Sequence, residues 1–390
     1  SNIITHHSSN INKTMKTVAS TILLASAVAA SPHLNVGIDR SHVRLEPTVA
    51  PHNPKTSSWA PSNFVNKELA TKQVTVSLKV DDEAQVNLEE IFWKVSDPDD
   101  VNYGQHLSLE ELAQVMNVPL KRVEKVKNYF LSHGATSVKV SPTKDMLTVQ
   151  MPVTKLETAL RTKLDKYTHK EHKKVSIVRA SRPYSLPEEI ASEVVMVGEL
   201  LQFPALRSKD LENLKGSGTW PNSCSSQPSC SGLVQPEVIR QRYNLPNQTE
   251  YESMLGGYVN AQANSMAVAE FQGQYFEPTD LASFSKACNR KVEVDAVIGG
   301  NQDSPGVEAE LDIEYIKSVS PEIPLTVEYS AEYSLLNWAN QINSNSSSAL
   351  VHSVSYGNDE KQQVSTQYML TCNTAFMKAG VMGRSILFAS

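Results

Sequence analysis

The chain has 390 residues, 40% of them hydrophobic, and a formal net charge of −6. That length holds two or three domains with a sizeable core. The charge is uneven: from Gly216 onward there are 9 basic and 18 acidic residues, against 27 and 24 before it. A weakly basic front and an acidic back attract one another, and no basic stripe with interleaved aromatics points to nucleic acid as a partner.

Residues 1–14 show no pattern and do not start with Met, so they read as upstream read-through. Met15 opens "MKTVASTILLASAVAASPHL", in which Lys16 precedes an apolar run from Val18 to Val28 and Ala27-Val28-Ala29 fits a small-residue cleavage pattern. Residues 15–30 therefore read as a secretory signal peptide, and the run is too short to span a bilayer. Residues 31–62, rich in Pro, Ser, His and Asn, read as a linker. Residues 63–204 interleave strand and helix signals. "QVTVSLKV" alternates as a strand, and "NLEEIFWKVSDP" is an amphipathic helix stopped by Pro98. "LSLEELAQVM" carries a capping box of Ser108 and Glu111, and "PLKRVEKVKNYFLSHG" is a helix ended by Gly134. The strands "TSVKVS" and "MLTVQMP" follow, then a helix over "TKLETALRTKLDKY". This order predicts a compact split β-α-β (ferredoxin-like) α+β domain.

Residues 205–232 lose that pattern and read as an exposed, protease-cleavable linker. From 233 to 390 apolar strands alternate with helices, which implies a parallel sheet covered on both faces. A helix over "TDLASFSKAC" has Thr279 as its expected cap. The expected fold class is therefore α/β: an α+β front domain, then part of a three-layer parallel-sheet domain whose last edge lies past Ser390.

In a secretory compartment the four cysteines are candidates for disulfides. Cys224 and Cys230 flank the turn-rich "SSQPS" and are the first expected pair, while Cys288 and Cys372 are left to pair with each other or with another chain. Asn247 and Asn345 begin sequons.

The stretch "GVEAELDIEYI", residues 306–316, places acids at Glu308, Glu310, Asp312 and Glu314. As a helix it puts Val307, Leu311 and Tyr315 on one sector, and Ala309, Ile313 and Ile316 on another. Glu308 and Asp312 fall between these sectors, spaced i, i+4, whereas Glu310 and Glu314 fall on an arc expected to face water. Two like charges in an apolar stripe raise at least one carboxyl pKa, which marks the pair as a candidate acid–base site. After His172 the only histidine is His352, inside "ALVHSVSYG", where a packed structural role is expected. No His or Cys pair shows metal-ligand spacing, so no metal site is expected.

The segments "VQPEVIRQRYNLP", "AVAEFQGQYFEPTDLASF", "GVEAELDIEYI", "VHSVSYGNDE" and "ILFAS", in this order, resemble the sedolisin or serine-carboxyl peptidases. "NYGQHLSLEEL" and "PYSLPEEIASEVVMVGELLQFP" resemble that family's activation domain. The resemblance implies a subtilisin-like fold over 233–390 and an activation domain over 63–204 that acts as an intramolecular inhibitor. It implies Glu308 as general base, Asp312 as the residue that orients it, and Glu270 as an acid standing behind the pair. It also implies that the backbone of Ser355, Tyr356 and Gly357 pairs with an extended peptide. The expected activity is hydrolysis of peptide bonds in acid, releasing N-terminal tripeptides or cutting internally, in a lysosome, a vacuole or the extracellular space. No cofactor is expected in this chain; the family's calcium site lies in its C-terminal part. The family's Gly-Asp-Ser-Gly-like segment and its Gly-Thr-Ser-x-x-x-Pro nucleophile motif are not in the sequence, and Ser390 does not match the nucleophile. The chain as written is therefore expected to be inactive. Two other readings are a secreted, non-catalytic binder of peptides or peptidases, and a hydrolase that depends on His352.

Overall fold

The computed structural model describes residues 41–46, 57–205, 218–224, 230–246, 250, 253, 264–357 and 365–389. Residues 1–30, Asn247 and Ser390 lie outside the described residues. The front part contains β1 (His42–Arg44), β2 (Trp59–Ser62), β3 (Thr71–Leu78), α1 (Asp82–Ser96), α2 (Leu109–Met116), α3 (Leu120–Ser132), β4 (Ser137–Val140), β5 (Met146–Pro152) and α4 (Val153–Leu160). It continues with β6 (Leu164–His169), β7 (Ser176–Ala180), β8 (Ser185–Pro187), α5 (Glu188–Ala191) and β9 (Val194–Val197). The back part contains α6 (Pro236–Tyr243), β10 (Met266–Phe271), α7 (Pro278–Cys288), β11 (Ala296–Ile298), α8 (Val307–Val319) and β12 (Leu325–Ser330). Then follow α9 (Leu335–Asn343), β13 (Val351–Val354), α10 (Thr366–Val381) and β14 (Ser385–Phe388).

In the front part, β4-β5-β3-β9 form an antiparallel sheet, and β2-β6-β7 form a second one. The capping box at Ser108 forms as its sequence predicts: the serine side chain accepts from the Glu111 backbone N–H, and Glu111 reaches back to Ser108. Two expectations are corrected. The helix predicted to run through Tyr167 stops at Leu160, because Arg161 takes a left-handed conformation (φ 46°) and caps it; "LDKYTH" then becomes strand β6. The 31–62 linker contains two strands, since β1 pairs with β8 and β2 with β6. Trp59 is buried there, and its indole N–H donates to the Pro204 carbonyl at 2.9 Å.

In the back part all five strands are parallel, in the order β11-β12-β10-β13-β14. Alternation along β10 sends Met266 and Val268 to one face and Ala269 and Phe271 to the other. The first face packs on Leu281 of α7 and Ile313 of α8. The second packs on Leu336 and Ile342 of α9 and Cys372 and Ala375 of α10. The sheet is thus the middle of three layers. Thr279 does not cap α7: Glu277 is the N-cap, and its carboxylate accepts from the Thr279 backbone N–H at 3.2 Å. Pro278 at the first helical position moves the cap upstream.

The front part lies on the α9/α10 layer. Met146 and Met196 join Phe271, Leu336 and Tyr356 in one apolar cluster. Gly380 has no room for a Cβ, which would stand 2.5 Å from the Phe92 ring. Lys378 of α10 pairs with Asp145 at 2.8 Å, and both side chains are at most 2% exposed. The expected attraction of a basic front for an acidic back fits Lys72 and Arg179 against Glu332, but the Asp145–Lys378 pair runs the other way.

The expected Cys224–Cys230 bridge is replaced by a Cys224–Cys288 disulfide that closes a sequence separation of 64. Cys224 and Cys230 instead share Gln235, whose amide accepts from the Cys224 N–H at 2.8 Å and donates to the Cys230 carbonyl at 2.6 Å. Cys372 is buried in the α9/α10 layer, on the far side of the sheet from α7, so it cannot reach Cys288. Among the described residues no helix is long and apolar enough to cross a membrane.

Burial pushes the Asp145 carboxyl up, but the Lys378 ammonium and the Thr143 hydroxyl outweigh it and hold the pKa below its ordinary 3.8. The pair therefore adds stability above that pH and loses it as pH falls further. Lys378→Met, which leaves Asp145 buried without its cation, is expected to cost about 3–5 kcal/mol at neutral pH in chemical denaturation.

Candidate functional site

The loop that follows β10 builds the entrance to α8. Gln272 (φ 63°) and Gly273 (φ 75°) take left-handed backbone, which turns the chain so that Gln274 points back at the helix start. The Gln274 side-chain oxygen accepts from the Glu308 backbone N–H at 3.0 Å. Gly306 is required for this approach, because a Cβ there would meet that oxygen at 2.5 Å. The Gly306 N–H donates to the Tyr275 carbonyl at 2.9 Å. With the first turn pinned, α8 buries Ala309, Ile313 and Lys317 at i, i+4 and i+8.

Two neighbouring strand ends then meet α8. Glu270, next to last in β10, is 1% exposed. The Tyr356 hydroxyl donates to its Oε2 at 3.0 Å, and its Oε1 has no hydrogen-bond partner among the described residues. The Ser355 hydroxyl donates to Asp312 Oδ1 at 2.8 Å. Val354 is the last paired residue of β13, so 355 and 356 lie just beyond it, beside Glu270. Tyr356 packs its ring on Phe271 at 5.1 Å and on Tyr333 at 6.4 Å. Burial raises the Glu270 carboxyl well above its ordinary range, and the charges of Asp312, Glu308 and Glu310 push it the same way. Glu270 therefore stays protonated where most carboxyls are ionised. A strand-end carboxylate in water does not describe it.

Of the site residues singled out from the sequence, Glu270, Glu308, Asp312, Ser355 and Tyr356 meet at the carboxyl ends of the parallel strands. Gly357 is exposed there, with open space around its Cα. What the sequence did not reveal is that the side chains of Ser355 and Tyr356 hold Asp312 and Glu270. The signal lay in strand alternation, since Tyr356 shares an inward face with Val354. Glu310 and Glu314 correct another expectation: they are half-buried rather than solvated. Burial, followed by the Asp280 and Glu277 charges and opposed by the Glu277 backbone N–H, lifts Glu310 to about 7. Burial, then Glu310 and Asp280, lifts Glu314 to about 8. Leu311, expected in an apolar sector, is exposed.

His352 is fully enclosed. Its Nδ1 stands 3.2 Å from Glu328 Oε2, and its Nε2 stands 2.8 Å from the Ala349 carbonyl. The Trp338 indole N–H donates to the same Glu328 oxygen at 2.7 Å. The expectation that no histidine pair has ligand spacing is corrected, because His169, Glu171 and His172 bring donor atoms within 4.8 Å of one another at the end of β6. His169 Nδ1 already accepts from the Glu171 and His172 backbone N–H groups, at 3.3 and 3.1 Å. This imidazole-rich turn does not suit calcium, which takes oxygen ligands. Asn345 is exposed at the end of α9.

A family profile described as "Pro-kumamolisin, activation domain" matches residues 59–203. Tripeptidyl-peptidase 1 of Dictyostelium discoideum is 27% identical over 355 residues, covering 83% of this chain and 58% of that protein. The Rattus norvegicus and Homo sapiens proteins of that name are 33% and 31% identical, each over 78% of this chain and 53% of their own length. The chain spans about half the length of the curated relatives it matches.

Because Glu310 and Glu314 have raised pKa values in the folded state, their stabilising contribution is full below 4.5 and is lost as pH rises toward 7 and 8. The thermal midpoint is expected to fall across that window. The double variant Glu310→Gln/Glu314→Gln is expected to flatten the fall, as followed by calorimetry.

Proposed function

Because the chain belongs to the sedolisin family, with tripeptidyl-peptidase 1 among its relatives, we propose that it is the zymogen of an acid-acting serine-carboxyl peptidase. The observation that carries this reading is the carboxyl cluster at the strand ends of a chain whose front part is an activation domain. Domain boundaries in this reading are 63–204 for activation, 205–232 for the cleavable link and 233–390 for the first part of a subtilisin-like peptidase domain.

In this mechanism Glu308 takes the proton of a serine nucleophile, and Asp312, oriented by the Ser355 hydroxyl, positions Glu308. Glu270, whose carboxyl burial pushes toward its neutral form, avoids a third negative charge beside the pair. An extended peptide adds along the backbone of Ser355, Tyr356 and Gly357. The nucleophile, the oxyanion aspartate and a calcium site are, in this scheme, supplied by sequence other than residues 1–390. On this reading residues 1–390 alone form no acyl-enzyme. The substrates are peptides or proteins, and the compartment is secretory, ending in a lysosome, a vacuole or outside the cell.

The activation domain reaches the strand ends through its tail, where the Gln272 side-chain amide donates to the Ala205 carbonyl at 2.7 Å. Acid loosens its contacts in a definite order. Burial holds the His169 pKa below 6.5, with the His172 and Lys173 charges acting the same way and Glu171 opposing them. Its contribution to stability is present above 6.5 and is lost as pH falls through the lowered value. A proton on Nδ1 cannot coexist with the two backbone N–H groups it accepts. The affected turn lies under Trp59, at 5.2 Å from the His169 ring, and Trp59 holds Pro204. Asp145 and Glu332 have depressed pKa values and hold to lower pH.

Two outcomes follow. In the full-length protein, Glu308→Gln is expected to lower kcat by about 10²–10⁴-fold with the fold intact. A folded His352→Ala variant that loses all activity while Glu308→Gln keeps it would overturn the reading. The transcript past the codon for Ser390 is a prior check: continuation into Gly-Asp and Gly-Thr-Ser supports the peptidase, and a stop favours a binder. Separately, His169→Gln is expected to keep the severed front part bound to lower pH than the parent protein, as read by gel filtration across pH 4–7.

A further inference from the structure

The contact between Lys72, Arg179 and Glu332 is built like a binding subsite. Glu332 lies between β12 and α9, next to Tyr333, whose ring packs on Phe271 at 5.2 Å and on Tyr356 at 6.4 Å. It therefore borders the candidate site. Its Oε1 accepts from Arg179 Nη1 at 2.7 Å and from Lys72 Nζ at 3.5 Å. Both cations come from the front part, on β7 and β3, and their side chains are 0% and 4% exposed. Arg179 Nη2 is buried with no hydrogen-bond partner among the described residues. Glu199, buried nearby, accepts from the Ser334 hydroxyl at 2.6 Å. A cavity of about 290 Å³ runs beside this contact, lined among others by Pro204, Gln272, Glu332 and Tyr333. The end of the activation domain passes along it: Arg179 Nε donates to the Gln202 carbonyl, Trp59 holds Pro204, and Gln272 holds Ala205.

The two cations are buried while Glu332, the carboxylate they share, keeps 38% of its side chain exposed, and placing two buried cations on a half-open acid is costly as pure scaffolding. When the front part leaves, both cations leave with it. Glu332 then remains as an anion on the wall of the peptide path, at the carboxyl ends of the strands where ligands bind in open parallel sheets.

We propose that Glu332 is a specificity-determining residue that binds a cationic group of the peptide substrate, and that Lys72 and Arg179 occupy its place in the zymogen. The group is an ammonium or guanidinium, supplied either by the free N-terminus of the peptide or by a Lys or Arg side chain. This inference rests on the peptidase reading for the release of the front part, and its test is chosen to separate the two.

In the zymogen, burial raises the Glu332 carboxyl, but Lys72 and Arg179 more than offset this and hold it at about 2. Without them it returns toward its ordinary value of 4.5, so the preference for cations weakens as pH falls through that region.

The test uses the full-length protein after acid treatment and separation of the front part. Fluorescent peptides of one sequence differ in two ways: N-terminus free or acetylated, and Lys or norleucine at each position upstream of the cut. A charge-assisted hydrogen bond predicts about tenfold higher kcat/KM and tighter binding for the cationic peptide. Loss of the preference on acetylation identifies the N-terminus as its source, and loss on Lys→norleucine identifies a side chain. Glu332→Gln is expected to bring the ratio near one, and Glu332→Lys to invert it toward acidic peptides. If either variant does not fold, the parent protein still decides, because its preference must weaken steadily as pH falls and Glu332 protonates. Anisotropy of the same peptides needs no turnover. Cation-selective binding without hydrolysis overturns the peptidase reading and keeps the subsite. Hydrolysis with equal use of cationic and neutral peptides, or a preference unchanged in Glu332→Gln, overturns the subsite.

Discussion

Parallel pairing is the constraint on which the rest depends. In register, Glu270 lies opposite Tyr329, Ala269 opposite Val354 and Val354 opposite Phe388. Parallel strands finish together, so whatever follows β10, β12 and β13 converges on one edge. Glu270 and Gln274, the Glu332–Tyr333 turn, and Ser355 and Tyr356 come from three such exits. They need no further device to become neighbours. Antiparallel pairing would send alternate exits to opposite edges and scatter these groups.

The front part uses that arrangement without copying it. Its own sheets are antiparallel, and it rests on the helical layer rather than on the strand edge. Most of the contact is apolar and insensitive to pH. The charged contacts are a buried Asp145–Lys378 pair and the two buried cations on Glu332. A third tie is Glu46, which accepts from the Tyr184 and Ser365 hydroxyls and so joins the N-terminal strand to both parts. Burial raises the Glu46 carboxyl despite these two donors, which favour its ionised form, so acid relieves the cost of burying this group while it weakens others. Docking is therefore a balance of groups with opposite responses to pH.

Much of this was legible in the sequence, for identifiable reasons. Ser108 and Glu111 carry a local rule that tertiary structure does not override. "GVEAELDIEYI" reads as a helix because its strand alternative would need a wet face for four acids. Alternation of strands and helices after residue 233 predicted a covered parallel sheet. Failures fell where long-range geometry decides. Arg161 ended a helix by adopting a conformation that no propensity assigns to arginine. Cys224 pairs with Cys288 at the end of α7, 64 residues on, a contact that spacing does not reveal. Glu310 and Glu314 lost their expected water where the start of α7, with Glu277 and Asp280, lies against α8, a long-range contact that the helix period does not show. Ser355 and Tyr356 were singled out for their backbone, yet their hydroxyls fix two of the site carboxyls.

The Cys224–Cys288 cross-link bears on what happens to a newly made chain end. A cut within 206–217 would give the back part a fresh amino terminus up to 11 residues ahead of the segment 218–224. That segment is bolted to the last residue of α7, and Trp220 donates its indole N–H to the Leu233 carbonyl at 2.5 Å. The bond fixes the root of the new end, so its reach is set by the number of residues left ahead of 218. In a reducing compartment that root would lose its covalent tie to α7, and only hydrogen bonds such as that of Trp220 would hold it.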